Sequence, residues 1–299
     1  MTSRRRTALL SAVALLTSLT VVVTQAQAAS NLPNAGDQRF GWRIQRLPLG
    51  GAHGEPSILT AHGETVVDTF GPVIWASTDH GKHWTLTKKI DTTNCPSGDA
   101  DHTILADGTI LADNLCLAGP SNLLYKSTDH GKTWHPAGPA GQTPGEAGVD
   151  SDRQWLTPDP KDASVVWMSY HDLAGPNVWV AKSIDGGATF PQRIPATAFG
   201  TEYANSSQGN TTARIIVKAK GEQRTLYLFY AYSDAPDAIQ GTLSPTDPDF
   251  LLRKIGLAKS TDGGLTWTNT VVYDGTSIKA RLGHPFTTAA IDPAGNLYV

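Results

Sequence analysis

An eight-residue string recurs four times in this 299-residue chain: STDHGKHW at 77–84, STDHGKTW at 127–134, SIDGGATF at 183–190 and STDGGLTW at 260–267. The shared pattern, S-x-D-x-G-x-[TH]-[WF], is too stringent for coincidence, and its starts lie 50, 56 and 77 residues apart. Such a chain is an array of similar units with insertions of varying length, which points to a solenoid or a propeller.

Strand signals dominate between the strings. VVWMSY at 165–170, NVWVA at 177–181, RIIV at 214–217 and TLYLFY at 225–230 are β-branched or aromatic and are bounded by Gly, Pro, Asp or Asn. No segment after the first 28 residues carries a long 3.6-residue apolar period. Each unit divides into four strands, with the string as the turn between the third and the fourth. Unit one runs over 56–90; unit two has strands at 102–105, 109–115, 123–127 and from 134 onward. Unit three has them at 154–157, 165–170, 177–183 and after 190, and unit four at 214–218, 225–232, 252–260 and 267–273. Four strands per repeat predict an all-β chain, a β-propeller of four-stranded blades. Residues 285–299 supply one strand, a turn and part of a second strand of a fifth unit. Radial arrays close to hide their strand edges, so the expectation is a piece of a longer propeller, about four blades and the start of a fifth.

The residue types of the string explain it as a hairpin staple. Its Asp can accept hydrogen bonds from the amides of its own turn, its Gly tolerates positive φ, and its aromatic ring can pack back between blades. A structural role is therefore expected for Ser77, Asp79, Gly81 and Trp84, for Ser127, Asp129, Gly131 and Trp134, for Ser183, Asp185, Gly187 and Phe190, and for Ser260, Asp262, Gly264 and Trp267. His80 and His130 are expected at exposed turn positions.

On these four strings the chain resembles the Asp-box (bacterial neuraminidase) repeat proteins, whose best-known members are the sialidases. The resemblance runs from about Glu55 to the end of the chain and implies a six-bladed propeller when complete. The same box recurs in sortilin-type receptors, xyloglucan-cleaving enzymes and photosystem assembly factors, so it identifies architecture better than activity.

The first 28 residues read as a secretion signal: Arg4, Arg5 and Arg6, an apolar run from Ala8 to Val23, and Ala26-Gln27-Ala28 as a small-residue cleavage site. The rival reading, a membrane anchor, meets a run that is short for a spanning helix and lacks a stop-transfer charge cluster. Ser3-Arg4-Arg5 leaves Sec and twin-arginine export both open. The mature chain, with a lead-in at 29–54 and the propeller at 55–299, is expected to be secreted and extracellular. Removal of the signal takes the formal charge from −3 to −6, and a mildly acidic chain without a basic run is a poor binder of nucleic acid or anionic membranes. Cys95 and Cys116 are the only cysteines, and an exported chain with two of them most simply pairs them, two separate thiols being the alternative. They lack the Cys/His cluster of a zinc site. No metal, cofactor or membrane partner is expected, and a monomer is.

Antiparallel order puts the box turns and the first-to-second-strand turns on one face. The other face receives the starts of the first strands and the second-to-third-strand loops. That pocket face is expected to collect Glu55, Asp99, Asp101, His102, Asp150, Asp152, Arg153, His171, Asp172, Glu202, Tyr203, Arg214, Asp234, Arg281 and His284. Carboxylates, arginines and histidines in such a group suit an acidic or polyhydroxylated sugar, against the plainer reading that charges gather on solvated loops. Substrate contacts are expected from Arg214, Arg281, Arg153, Asp152, His171 and His284. The 233–249 connection, with its three prolines, is expected to form a rim.

Catalytic sialidases add an arginine triad for the substrate carboxylate, a Tyr/Glu nucleophile pair and an acid Asp. The resemblance implies that Glu202, Arg214 and Arg281 fall where the family carries its glutamate and two later arginines, with Asp68 as the candidate acid. The opening motif departs from the family: Glu55-Pro56-Ser57-Ile58 stands in place of Phe/Tyr-Arg-Ile-Pro. Arg43 lies upstream, and Arg193-Ile194-Pro195 follows a box on an outer strand. The nucleophilic Tyr is expected beyond Val299. Two functions follow as expectations: a secreted sialidase-like glycoside hydrolase acting on glycans, or a non-catalytic propeller that binds glycan or protein through the same face.

Overall fold

The computed structural model describes residues 56–61, 65–70, 73–90, 99–116, 121–138, 151–172, 177–204, 212–232, 252–280, 282 and 287–299. All of them belong to one compact unit, Leu47–Val299. The expected signal segment, the lead-in, Cys95, the side chain of Cys116 and the 233–249 connection lie outside the described residues.

Four antiparallel four-stranded sheets follow one another along the chain. The first is β1 (Ser57–Ala61), β2 (Thr65–Phe70), β3 (Val73–Ser77) and β4 (Thr85–Lys89); the second is β5 (Ala100–Ile104), β6 (Ile110–Cys116), β7 (Ser121–Ser127) and β8 (His135–Pro136). The third is β9 (Ser151–Pro158), β10 (Val166–Asp172), β11 (Val178–Ser183) and β12 (Gln192–Pro195); the fourth is β13 (Ile216–Lys220), β14 (Gln223–Tyr232), β15 (Lys254–Ser260) and β16 (Thr268–Asp274). A short pair, β17 (Ala290–Ile291) and β18 (Leu297–Tyr298), comes last. Strand order within every sheet is simply sequential, as in propeller blades. The first strands meet one another: Ser57 of β1 reaches Asp101 of β5, Asp101 reaches Leu156 of β9, and the Thr157 hydroxyl of β9 donates to the carbonyl of Ile215, next to β13.

The blades pack face to face, so the middle strands are apolar on both sides. In β10, Val166, Met168 and Tyr170 enter a core with Leu105, Leu111 and Leu124 of the second blade. Trp167, pointing the other way, enters a core with Ile215, Leu226 and Leu228 of the fourth. Complete burial of a side chain such as Met168 contributes about 1.5–3 kcal/mol. This two-sided burial is why the sequence shows continuous apolar runs there instead of alternation.

The box turns are built as their residue types foretell, with one addition. In the second box the Ser127 hydroxyl donates to Asp129 at 2.8 Å and accepts from the Gly131 amide at 2.8 Å. The Thr133 amide (2.9 Å) and hydroxyl (2.6 Å) both donate to Asp129. The other three boxes repeat this network, His83 standing in for the Thr in the first. The Trp134 indole N–H reaches both its own turn, at Gly131, and Thr87 of the preceding blade. The addition is a second left-handed residue. His80 and His130 have φ of 59° and 63°, at the position where the later boxes carry Gly186 and Gly263, so two boxes hold an L-residue where glycine is the unstrained choice.

Candidate functional site

The inner ends of the blades converge on one carboxylate. Asp101, fully buried on β5, accepts from the Ser57 hydroxyl of the first blade (3.1 Å), the Leu156 amide of the third (2.7 Å) and Nη2 of Arg214 in the fourth (2.5 Å). Donors from three blades thus meet on one buried carboxylate, which offsets the cost of burying it. Arg214 also donates to the carbonyls of Leu156 and His102. Its side chain stays 38% exposed, so one side of a guanidinium fixed by the fold is open to solvent.

A backbone irregularity brings a second arginine beside it. The β9–β10 register slips between Ser169 and His171, a bulge that sets Tyr170 against the Arg153–Gln154 pair. Arg153 there has φ of 46°, in the left-handed region that costs an L-residue about 1–2 kcal/mol. Bulges of this kind re-aim side chains and concentrate near functional sites. The Arg153 guanidinium lies 3.9 Å from the Trp155 ring, and that of Arg214 lies 5.4 Å from the same ring. The Trp155 indole N–H is anchored on the carbonyl of Thr212 at 3.0 Å.

Two further titratable groups lie beside this pair. Asp113 of β6 stands directly across from Asp101 in the strand pairing, and both are 0% exposed. Burial, and then the neighbouring Asp101 charge, push the Asp113 carboxyl well above the usual carboxylate range. Burial, with the Arg214 charge second, holds His102 down at about 3, so it is neutral at physiological pH. Two guanidinium groups thus share one indole, and the partly exposed side chain of Arg214 suits an anionic ligand group.

Of the residues expected on the pocket face, the structure brings together Arg153, Arg214, Asp101 and His102. His171 sits within β10, fully buried. Glu202 lies on a short 3-10 turn, Glu202–Ala204, where it is exposed and accepts from Lys254 Nζ at 2.9 Å, and its neighbour Tyr203 packs on Tyr232. Asp68 occupies β2 opposite Trp75 and Asp152 occupies β9 opposite His171, but their side chains lie outside the described residues. So do the side chain of Asp172 and all of Glu55, Asp150, Asp234, Arg281 and His284. Among the described residues no cluster of metal-ligating side chains is present. Sequence reasoning missed Ser57, Asp113, Gln154 and Trp155. A signal existed for Asp113: a lone acid inside the apolar stretch ILADNLC is a buried charge in need of an explanation.

A recess of about 360 Å³ lies on the opposite, turn face between the third and fourth blades, lined among others by Asp159, Asp162, Lys182, Arg224 and Asp262. Arg224, Asp159, Asp162 and Asp262 there are committed to the fold. Arg224 forks onto Asp159 from blade to blade, Asp162 caps the Ser164 turn and Asp262 staples its box.

The family model described as BNR/Asp-box repeat matches residues 125–136, over the second box. The same box pattern stands at three further places along the chain, each in the turn before the last strand of a four-stranded sheet. No curated protein matches the chain. Among solved structures, the intramolecular trans-sialidase from Ruminococcus gnavus, in complex with oseltamivir carboxylate, is 14% identical with a TM-score of 0.47; the match covers 78% of this chain and 45% of that one. The alpha-L-arabinanase of Penicillium chrysogenum, complexed with arabinobiose, is 16% identical with a TM-score of 0.49, covering 81% of this chain and 71% of that one. The NanB sialidase from Streptococcus pneumoniae is 14% identical with a TM-score of 0.44, covering 78% and 32%. The chain spans less than half the length of these two sialidases, and such identities transfer no residue's role.

Proposed function

We propose that this protein is an exported, glycan-acting Asp-box propeller, sialidase-like in kind, that takes the acidic group of a sugar on Arg153 and Arg214. The observation that carries the reading is the pair of guanidiniums set against one indole, one of them aimed by a strained bulge and the other paired with Asp101 yet partly exposed. Guanidinium geometry favours carboxylates and phosphates, and an aromatic surface beside it favours the apolar face of a sugar ring. Hydrolysis of a glycosidic bond belongs to the proposal as exo-sialidase-like chemistry, with Glu202, Asp68, Arg281 and His284 as further candidates.

A second reading, a non-catalytic propeller that binds glycan or protein ligands, is favoured by a specific observation. Asp101, the carboxylate that Arg214 holds, is occupied by donors from three blades, and Glu202 is engaged by Lys254. Calorimetry with N-acetylneuraminate and glucuronate against glucose tests the shared part of both readings. Acidic sugars are expected to bind and glucose not to, and Arg153→Lys is expected to weaken binding about tenfold through loss of the fork. Equal binding of glucose, or an unaffected Arg153→Lys variant, overturns the proposal. Release of fluorophore from a panel of fluorogenic glycosides then separates enzyme from binder.

A further inference from the structure

The four boxes share their turn but not their charge. At the fourth and sixth positions the first two carry His80 with Lys82 and His130 with Lys132, where the last two carry Gly186 with Ala188 and Gly263 with Leu265. His80, Lys82, His130 and Lys132 are all exposed. The fourth position is left-handed in every box, with φ of 59° and 63° at the histidines and 68° and 74° at the glycines. Glycine holds that turn without strain, as the last two boxes do. An L-residue kept there twice points to a role outside the fold.

The two turns lie on one side of adjoining blades. The Trp134 indole N–H of the second box reaches the Thr87 hydroxyl of β4 at 3.0 Å, and Lys88 Nζ, also on β4, lies 4.8 Å from the centre of the Tyr125 ring on β7. His83 and Lys89 are exposed beside the first box, and His135 beside the second, where it stands across from Lys126 in the β7–β8 ladder. The acids among these groups are engaged locally. Asp79 and Asp129 accept from their own turns, Asp79 also meets His83 Nδ1 at 2.5 Å, and Asp107 in the next hairpin accepts from the Thr109 amide. The whole chain has a formal charge of −3, so this positive surface is local. Around the boxes of the third and fourth blades, Asp159, Asp162, Glu222 and Asp262 stand with Lys182 and Arg224 instead.

We propose that the turn face of the first two blades docks a polyanionic polysaccharide on Lys82, Lys132, His80 and His130, and that the histidines tighten the hold in mild acid. Repeated exposed cations without a cleft match a polymer of repeated carboxylates. Trp84 is half-buried and Trp134 buried, so these two boxes expose no Trp, Tyr or Phe ring on which nucleic-acid bases would stack. Histidine is the side chain that takes up a proton between about pH 8 and pH 5, and each proton adds positive charge to this face. The surface stands at the opposite end of the strands from Arg214 and does not depend on the reading of that site.

The test follows fluorescently labelled polygalacturonate by anisotropy at about pH 7.5 and about pH 5.5, a range in which ordinary carboxylates stay ionised, with dextran as the uncharged control. The unaltered protein is expected to bind the polyuronate and not dextran, and to bind it about tenfold more tightly at the lower pH. The double variant His80→Gly, His130→Gly takes the residue that the other two boxes already carry. It is expected to fold normally and to lose most of the gain at low pH. Lys82→Gln combined with Lys132→Gln is expected to weaken binding about tenfold at both pH values. Equal binding of dextran, an unchanged pH gain in the double-glycine variant, or unchanged affinity in the lysine variant overturns the proposal. Tighter binding of single-stranded DNA than of polyuronate overturns it in favour of a nucleic acid. Loss of polymer binding in saturating N-acetylneuraminate overturns it too, by placing the polymer at the inner ends of the blades. Should that sugar not bind at all, the function proposed above falls, and the box variants alone decide this surface.

Discussion

Arg214 of the fourth blade donates to Asp101 of the second at 2.5 Å, across 113 residues of sequence and past the whole third blade. The pair is lopsided in its surroundings, since the carboxylate is fully buried and the guanidinium partly exposed. Asp101 also satisfies an amide of the third blade and a hydroxyl of the first. The blades are therefore joined at their inner ends by one atom group as well as by the apolar layers between them.

Asp101→Ala is expected to cost about 3 kcal/mol, at the lower end of the range for removing one member of a buried pair, because Arg214 retains some solvent. Urea unfolding monitored by circular dichroism measures it. A loss under about 1 kcal/mol would mean that the hub contributes no more than a surface ion pair.

Asp262→Ala is expected to lower stability by about 1–2 kcal/mol through its lost turn hydrogen bonds, with sugar binding unchanged. Its carboxylate accepts from Ser260, Leu265 and Thr266 within its own turn, remote from Arg153. A normal melt together with lost binding would refute the structural role of the box.

The box carboxylates set the acid limit of the fold. Asp79 and Asp262 are lowered by their turn hydrogen bonds. For Asp129 and Asp185 burial pushes upward, and the Thr, amide and Ser donors more than offset it, Asp129 falling to about 2. A depressed folded-state pKa gives stability that is present above the unfolded value near 4 and is lost as pH falls through the folded one. Melting temperature is expected to drop between about pH 4 and pH 2. Asp129→Asn is expected to be less stable at neutral pH and to lose less over that interval; an equal loss would contradict the assignment.

Asp113 has the opposite sign. Its folded-state pKa is raised, so folding takes up a proton above the unfolded value, and this carboxyl weakens the fold progressively as pH rises from about 4. Asp113→Asn is therefore expected to melt higher than the unaltered protein at pH 7 and to lose that advantage at about pH 3. A pH-independent difference between the two would show that Asp113 does not titrate in this way.

Gly256→Ala is expected to be destabilising by about 1–3 kcal/mol, the usual cost of overpacking. A methyl group on Gly256 would lie 2.4 Å from Cζ of Tyr230, a ring with no room to retreat because it is fully buried beside Tyr232. Thermal unfolding checks this, and a neutral substitution would show that the β14–β15 pair relaxes freely.

Much of this molecule was legible in the primary structure. Each box is closed by contacts within eight residues, from Ser127 to Asp129, Gly131 and Thr133 for instance, and such local bonds leave their mark as a contiguous motif. The strands read correctly because β10 and β14 are apolar on both faces, as two-sided burial requires. Strand order also put Arg153 and Arg214 on one face, and both guanidiniums lie against Trp155.

What the chain alone could not specify is what those arginines meet. His171 is a pocket residue by strand order, yet it is buried within β10; Glu202 is a catalytic candidate by order, yet Lys254 engages it. The left-handed backbone at Arg153, the stacking of its guanidinium on Trp155 and the upward shift of the Asp113 carboxyl arise only where β5, β6, β9 and the segment before β13 come together. The physical reason is range. A box is stapled by neighbours in sequence, so its residues determine it, whereas burial, dielectric and ion pairing are set by residues tens to over a hundred positions away, and only the packed blades bring them into contact.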